Sequence, residues 1–248
     1  MKSNLCQRYH IISILVFCFA IKAEAQCPDS SLWPRKVGIL VAMEKEYNLL
    51  KDYFTSDSVV VMRCGIGKVN AAIGCEEMAR KYQPDVIISM GCAGGNSKGI
   101  HIGDVIASKD VAYHDVYCGE KLAYGQMQGM PKRFVADSVL LKKALQLDSK
   151  VVPGLIVTGD WFVDSKDKMS EIVSHFPDTK AVDMESAAIA QVCYLHHIPF
   201  ISFRIVSDIP LEDEHASQYY HFWETASKET FLIAKQFVKS LMDNNIND

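Results

Sequence analysis

From Val37 onward, short unbroken apolar runs alternate with longer stretches in which apolar residues return every three or four positions. The runs have the length of buried strands, the stretches the period of amphipathic helices. Val37–Ala42, Val59–Cys64 and Val86–Met90 read as strands, with helices over Met43–Phe54 and Lys68–Tyr82 between them. Ile102–Tyr117 reads as two strands, followed by a loop-rich stretch (Gly119–Pro131) and a helix over Asp137–Leu147. The alternation then resumes with strand Val151–Thr158, helix Lys166–His175, short strand Ala181–Met184, helix Glu185–His196, strand Phe200–Val206 and one long terminal helix, His221–Met242. This order predicts the α/β class: residues 37–248 form a single-domain three-layer sandwich, a central mixed and largely parallel β-sheet flanked by helices.

The start of the chain has a different pattern. Lys2 and Arg8 precede an apolar run from Ile11 to Ile21, and the small residues of Ala23-Glu24-Ala25 fit the positions read by a signal peptidase. Residues 1–25 are therefore expected to be a cleaved secretory signal, because the run falls short of the roughly 20 apolar residues that span a bilayer. An uncleaved anchor is the alternative. Lipid attachment at Cys27 is disfavoured by Gln26, which stands where a lipoprotein signal wants a small residue. Residues 26–36, with Pro28, Ser30, Ser31 and Pro34, read as a linker. The expected location is outside the inner membrane, in the periplasm, without stable membrane association after cleavage.

Composition narrows the function classes. The 248 residues carry a formal charge of −4 and no dense Lys/Arg run, so nothing favours a phosphate backbone and nucleic acid is excluded as a partner. Beyond the signal stand Cys27, Cys64, Cys75, Cys92, Cys118 and Cys193, an even number whose spacing matches no disulfide framework. Buried thiols are the expectation. No Cys-x-x-Cys pair or His/Cys cluster occurs, and the expected metal is none.

In open α/β sheets ligands collect beyond the carboxyl ends of strands. The segments there are Met43-Glu44-Lys45-Glu46, Gly65-Ile66-Gly67-Lys68, Gly91-Cys92-Ala93-Gly94-Gly95, Thr158-Gly159-Asp160-Trp161-Phe162-Val163, Asp183-Met184-Glu185-Ser186 and Arg204-Ile205-Val206-Ser207-Asp208. Glu46 shares a helix face with Met43 and Leu50, where a carboxylate is costly unless used or paired. Complementing the helix dipole is the plainer reading of Glu46, and helix-start and turn roles stand equally open for Glu185 and Asp208. The Gly65 loop lacks the third glycine of a dinucleotide loop and the full triphosphate spacing. The Gly91–Gly95 run reads either as a tight strand-to-helix turn or as a place where backbone approaches a small ligand.

Taken in order with Gly103-Asp104-Val105 and Tyr113-His114-Asp115, these blocks resemble bacterial 5′-methylthioadenosine/S-adenosylhomocysteine nucleosidases of the nucleoside phosphorylase superfamily, over nearly all of residues 36–242. The resemblance implies a nucleoside phosphorylase-like fold and hydrolysis of an N-glycosidic bond, to adenine and a thioribose, in methionine salvage. Such cleavage builds positive charge on the ribose and negative charge on the purine, so it needs an acid at the base and an activated water at C1′. By similarity, Asp208 would protonate N7 of adenine, Glu46 would activate water and Arg204 would help hold it. Glu185 would bind the ribose hydroxyls, Met184 would pack on the sugar, Phe162 would stack on adenine and the Val163 backbone would read its edge. Met43, Cys92, Ala93, Gly94 and Ser207 complete the implied substrate site. No cofactor is implied, the partner is a small purine nucleoside, and the assembly is a homodimer.

The sequence departs from the family's pattern in places. Cys92 stands for a common Ser, Asp183 for a common Glu and Ser186 for a common Ala. Residues 116–131 lack the usual aromatic side chains that reach a neighbouring subunit, which leaves Tyr124, Met127 and Met130 as apolar candidates. Phe222 or Trp223 is a candidate to close the pocket from within one subunit. Two enzymatic alternatives are a futalosine hydrolase-like purine nucleosidase and a nucleoside phosphorylase. A non-catalytic periplasmic nucleoside-binding protein is the alternative outside enzymes.

Overall fold

In the computed structural model, residues 34–96, 99–148, 150–225 and 231–243 are described. The expected signal and most of the linker lie outside them. At the linker's end the Arg35 and Lys36 amides both donate to Asp85 Oδ2, at 2.8 and 2.9 Å, tying residues 35 and 36 to the body.

The elements run β1 (Val37–Val41), α1 (Glu44–Leu50), β2 (Val59–Arg63), α2 (Lys68–Tyr82), β3 (Val86–Gly95), β4 (Val105–Tyr113), β5 (Phe134–Val135), α3 (Ser138–Leu145), β6 (Val151–Thr158), α4 (Lys166–His175), β7 (Thr179–Asp183), α5 (Ser186–His196), β8 (Phe200–Asp208), α6 (His215–Thr225) and α7 (Leu232–Asp243). The strands form one mixed sheet in the order β2-β1-β3-β7-β6-β4-β5, and β8 pairs with both β3 and β4. These pairings close a ring of five strands, β3-β8-β4-β6-β7, at one side of the sheet. Parallel pairs dominate, as the βα alternation requires.

Side chains along each strand alternate between two cores. Ile39 and Ile88 face a cluster with Leu50 of α1, Leu140 of α3 and Phe237 of α7, while Leu40 and Ile87 face Met78 of α2 and Ile189 of α5. A third cluster seats α4 through Met169 and Ile172. Helices therefore cover both faces, the expected three layers.

Three sequence expectations are corrected. Gly91–Gly95 is not a turn: β3 continues through it, with Gly91 opposite Arg204 and Cys92 opposite Ile205 on β8. Small residues are needed there, since a Cβ on Gly91 would sit 2.8 Å from Glu46 Oε1 and 3.2 Å from Arg204 Nη1. Ile102–Tyr117 is one strand, β4, because Gly103 takes positive φ and turns the chain before Val105. The terminal helix is described as two, α6 and α7, and α6 begins six residues before His221. Its first turns carry polar residues, which conceal the helical period.

Candidate active site

Glu46 sits in the first turn of α1, with its carboxylate bonded to backbone amides. Oε2 accepts the Ala42 and Met43 amides at 3.0 and 2.9 Å, an N-terminal capping role. Oε1 accepts the Cys92 amide at 3.0 Å, so the same carboxylate joins α1 to β3. Its neighbour Glu44 turns outward to an exposed pair with Arg63. Burial pushes the Glu46 carboxyl up from its ordinary range, against the three backbone donors and the nearby Arg204, which pull it down.

Glu185 stands at the N-terminus of α5, directly after β7. Its Oε1 accepts the Gly67 amide at 3.1 Å. The Gly65 loop thus serves a carboxylate, and its tight path depends on glycine: Gly65 and Gly67 have φ of +95° and +92°. Burial first, then the charge of Asp183, raises Glu185 to about 7.

Asp208 ends β8 behind an irregularity in its pairing with β3, where Ala93 faces Val206 and Gly94 faces Asp208. The extra residue, Ser207, re-aims the strand end. Ser207 Oγ lies 2.6 Å from Asp208 Oδ1, to which it donates, and 3.3 Å from the Ala93 carbonyl. Burial raises the Asp208 carboxyl, partly offset by that hydrogen bond.

Glu46, Glu185 and Asp208 meet at one cleft of about 650 Å³, open to solvent. Met43, Cys92, Ala93, Gly94, Phe162, Val163, Met184 and Ser207 also line it. Arg204 alone of the sequence-named residues is absent from the lining. Its guanidinium lies behind the cleft wall, with Nε on Asp183 Oδ2 at 2.6 Å, Nη2 on Ser89 Oγ at 2.9 Å, and Nη2 3.8 Å from Glu185 Oε2.

Six lining residues were not named as site residues from sequence: Ala42, Ile66, Trp161, Val182, Asp183 and Tyr219. Tyr219 takes the place considered for Phe222 or Trp223. Phe222 belongs to the core under α7, and Trp223 packs against that core, whereas Tyr219, one helical turn earlier, faces Phe162 edge-on at 5.4 Å between ring centres. Spacing alone does not choose among the three, since residues three and four apart share a helix face and Tyr219 and Trp223 stand 6.4 Å apart between ring centres. No lysine or arginine lines the cleft among the described residues.

The loop after β4 also differs from expectation. Tyr124 stacks on His175 of its own chain at 3.7 Å, and Met130 packs against the α2–α5 core, which leaves Tyr117 and Met127 as its exposed apolar residues. Among the described residues no cluster of three or more His, Cys, Asp or Glu side chains could hold a metal ion, and no helix is long and apolar enough to cross a membrane.

Sequence and fold both match known proteins. The sequence profile of the phosphorylase superfamily matches residues 36–239, which places the chain in that superfamily. A 5′-methylthioadenosine/S-adenosylhomocysteine nucleosidase of Exiguobacterium sp. is 40% identical over 230 residues, 83% of this chain and 98% of that protein. The crystal structure of the Neisseria meningitidis nucleosidase of the same name, in complex with methylthio-immucillin-A, superposes with a TM-score of 0.78 at 34% identity, covering 83% of this chain and 99% of that one. The Colwellia psychrerythraea nucleosidase in complex with adenine gives 0.78 at 31% identity, covering 85% and 98%. Within the superfamily the chain belongs to the 5′-methylthioadenosine/S-adenosylhomocysteine nucleosidases.

Proposed function

We propose that this protein hydrolyses the N-glycosidic bond of 5′-methylthioadenosine and S-adenosylhomocysteine, releasing adenine and the corresponding thioribose. The convergence of Glu46, Glu185 and Asp208 on one cleft is the observation that carries this reading. A nucleoside receptor has no need of three buried carboxylates around one ligand, each costly to desolvate.

Asp208 is the acid. Burial holds its proton more tightly than usual, which suits donation to N7 as negative charge gathers on the purine. Glu46 is the base that activates water: three backbone N–H groups fix its orientation. Glu185 accepts hydrogen bonds from the ribose hydroxyls, and Met184 packs on the sugar. Phe162 stacks on adenine, with Tyr219 set edge-on against the Phe162 ring, and the Val163 backbone reads the edge of the base. Cys92, Ala93, Gly94, Ser207 and Met43 shape the remaining wall. Arg204 acts from behind, as the counter-charge that makes two buried glutamates tolerable.

Water is favoured over phosphate as nucleophile. Phosphorolysis needs cationic donors to hold the anion, and the cleft offers none among its described lining while Glu46 repels it. Release of adenine from both nucleosides by wild-type protein, and its loss in Asp208→Asn, tests the reading. Wild-type protein that binds methylthioadenosine without releasing adenine contradicts it.

The protein is exported after cleavage behind Ala25, and it supplies adenine and methylthioribose to methionine salvage. Mature protein beginning at Gln26, outside the inner membrane, is the expected result of N-terminal sequencing and cell fractionation. Soluble cytoplasmic protein retaining Met1 contradicts export. The enzyme acts as a homodimer: Ile66, Val69 and Ile73 leave apolar surface at the start of α2, beside the cleft, and Tyr117 and Met127 add to the exposed apolar total. Sedimentation of a fully active monomer contradicts the dimer.

A further inference from the structure

Asp183 is the most heavily bonded side chain at the site, and the catalytic roles above leave it unused. Its carboxylate accepts Thr158 Oγ1 at 2.5 Å on one oxygen, and Arg204 Nε at 2.6 Å with the Ser186 amide at 3.1 Å on the other. Ser186 Oγ shares that second oxygen and lies 2.7 Å from Ser202 Oγ. An ionised carboxylate only accepts, so the Ser186 hydroxyl must donate to Asp183 and the Ser202 hydroxyl to Ser186. Proton directions are thereby fixed along β8, α5 and β7. The chain of donors ends on the oxygen that holds Arg204, whose Nη2 faces Glu185 and whose Nη1 lies close behind Glu46.

We propose that Asp183 and Ser186 act as one positioning unit for the hydrolytic reaction, the short carboxylate and the hydroxyl beside it together fixing the Arg204 guanidinium behind Glu46 and Glu185. The inference rests on the proposed nucleosidase activity. Size makes the two residues interdependent. A glutamate at 183 is longer by one bond, about 1.5 Å, and drives its carboxylate into the space of Ser186 Oγ. An alanine at 186 removes a donor from a buried anion and leaves a gap. Together the two changes compensate, because the longer acid fills the space that the hydroxyl vacates.

The test is a cycle of Asp183→Glu, Ser186→Ala and the double variant, with Asp183→Asn beside it. Each single change lowers kcat about 10-fold or more with a smaller change in KM, and the double variant returns to within about 3-fold of wild type. Asp183→Asn also moves the ionisation of Glu185 in the pH-rate profile to lower pH, since the Asp183 charge is the foremost cause, after burial, of the raised value. A purely structural role would lower activity without moving the profile. Losses that add in the double variant, or an Asp183→Asn profile that coincides with wild type, overturn the proposal. Tm values of the same four proteins give the coupling without any substrate, so failure of wild-type protein to release adenine sinks the nucleosidase reading and leaves the pairing separately testable.

Discussion

The backbone N–H of Cys92 donates to Glu46 Oε1 at 3.0 Å, linking the middle of β3 to the first turn of α1. With two further amides on Oε2, three backbone donors hold the carboxylate, and Oε1 keeps a lone pair for the attacking water. A glutamine has one acceptor oxygen, so its NH2 must face at least one of those amides. Glu46→Gln should therefore lower kcat by about 10²-fold or more and also cost about 1–3 kcal/mol in stability, leaving a folded protein. Steady-state kinetics and urea unfolding measure the two effects; kcat unchanged at full stability would remove Glu46 from the mechanism.

Glu185 gives the protein a pH signature. Its carboxyl lies near 7 when folded against an ordinary 4.5, so between those values the folded state holds a proton that the unfolded chain has released. Stability must then decline as pH rises through about 4.5 to 7, and Glu46 and Asp208, also raised by burial, add to the same slope. Replacing Glu185 with Gln should flatten part of that decline. Thermal melts from pH 5 to 8 will show it, and identical slopes for the two proteins would argue against the raised value.

Cys92 lines the cleft, yet burial and the charge of Glu46 push its thiol well above the ordinary range. Cys64 is pushed up to about 12. Cys118 is the exposed thiol among the described residues. A bulky thiol reagent should modify Cys118 first with activity retained, and activity should fall only as Cys92 reacts. Cys92→Ser, a better hydrogen-bonding group of similar size, should keep or raise kcat. Peptide mapping alongside residual activity decides this; full activity after confirmed labelling of Cys92 places it away from the reacting water.

Phe162 and Tyr219 are half-exposed aromatic walls from different elements, the loop after β6 and helix α6. Stacking of a base on an aromatic side chain contributes about 1–3 kcal/mol, so Phe162→Ala should raise KM about 5- to 150-fold while changing kcat less, and Tyr219→Ala, which removes the ring set edge-on against Phe162, should raise KM by a smaller factor. Equal losses in kcat and kcat/KM would mean that these rings act on the transition state and not on binding.

Much of this site is legible in the sequence because its chemistry sits at strand ends, and strand ends are set by apolar runs. Lys68–Tyr82, Val151–Thr158 and Lys166–His175 read correctly to the residue, since turn and capping residues bound each of them. Gly91–Gly95 misled because glycines in a strand look like a turn; Gly91 lets Glu46 and Arg204 approach the backbone, Gly94 makes room for Pro210 and Gly95 for Val206 and Ile209, tertiary demands with no local signal. Tyr219 was hidden by the polar start of α6. Asp183 showed in sequence as a departure from the family pattern, but its bond to Arg204 crosses from β7 to β8 and needs the sheet to be seen.

Hydrolysis is most directly tested by the fate of the ribosyl carbon. Methylthioadenosine is incubated with purified protein in phosphate buffer made with oxygen-18 water, and the sugar product is identified by mass spectrometry. Free methylthioribose carrying one labelled oxygen at C1, with equimolar adenine, is the predicted result; methylthioribose 1-phosphate would contradict the assignment of water, activated by Glu46, as the nucleophile.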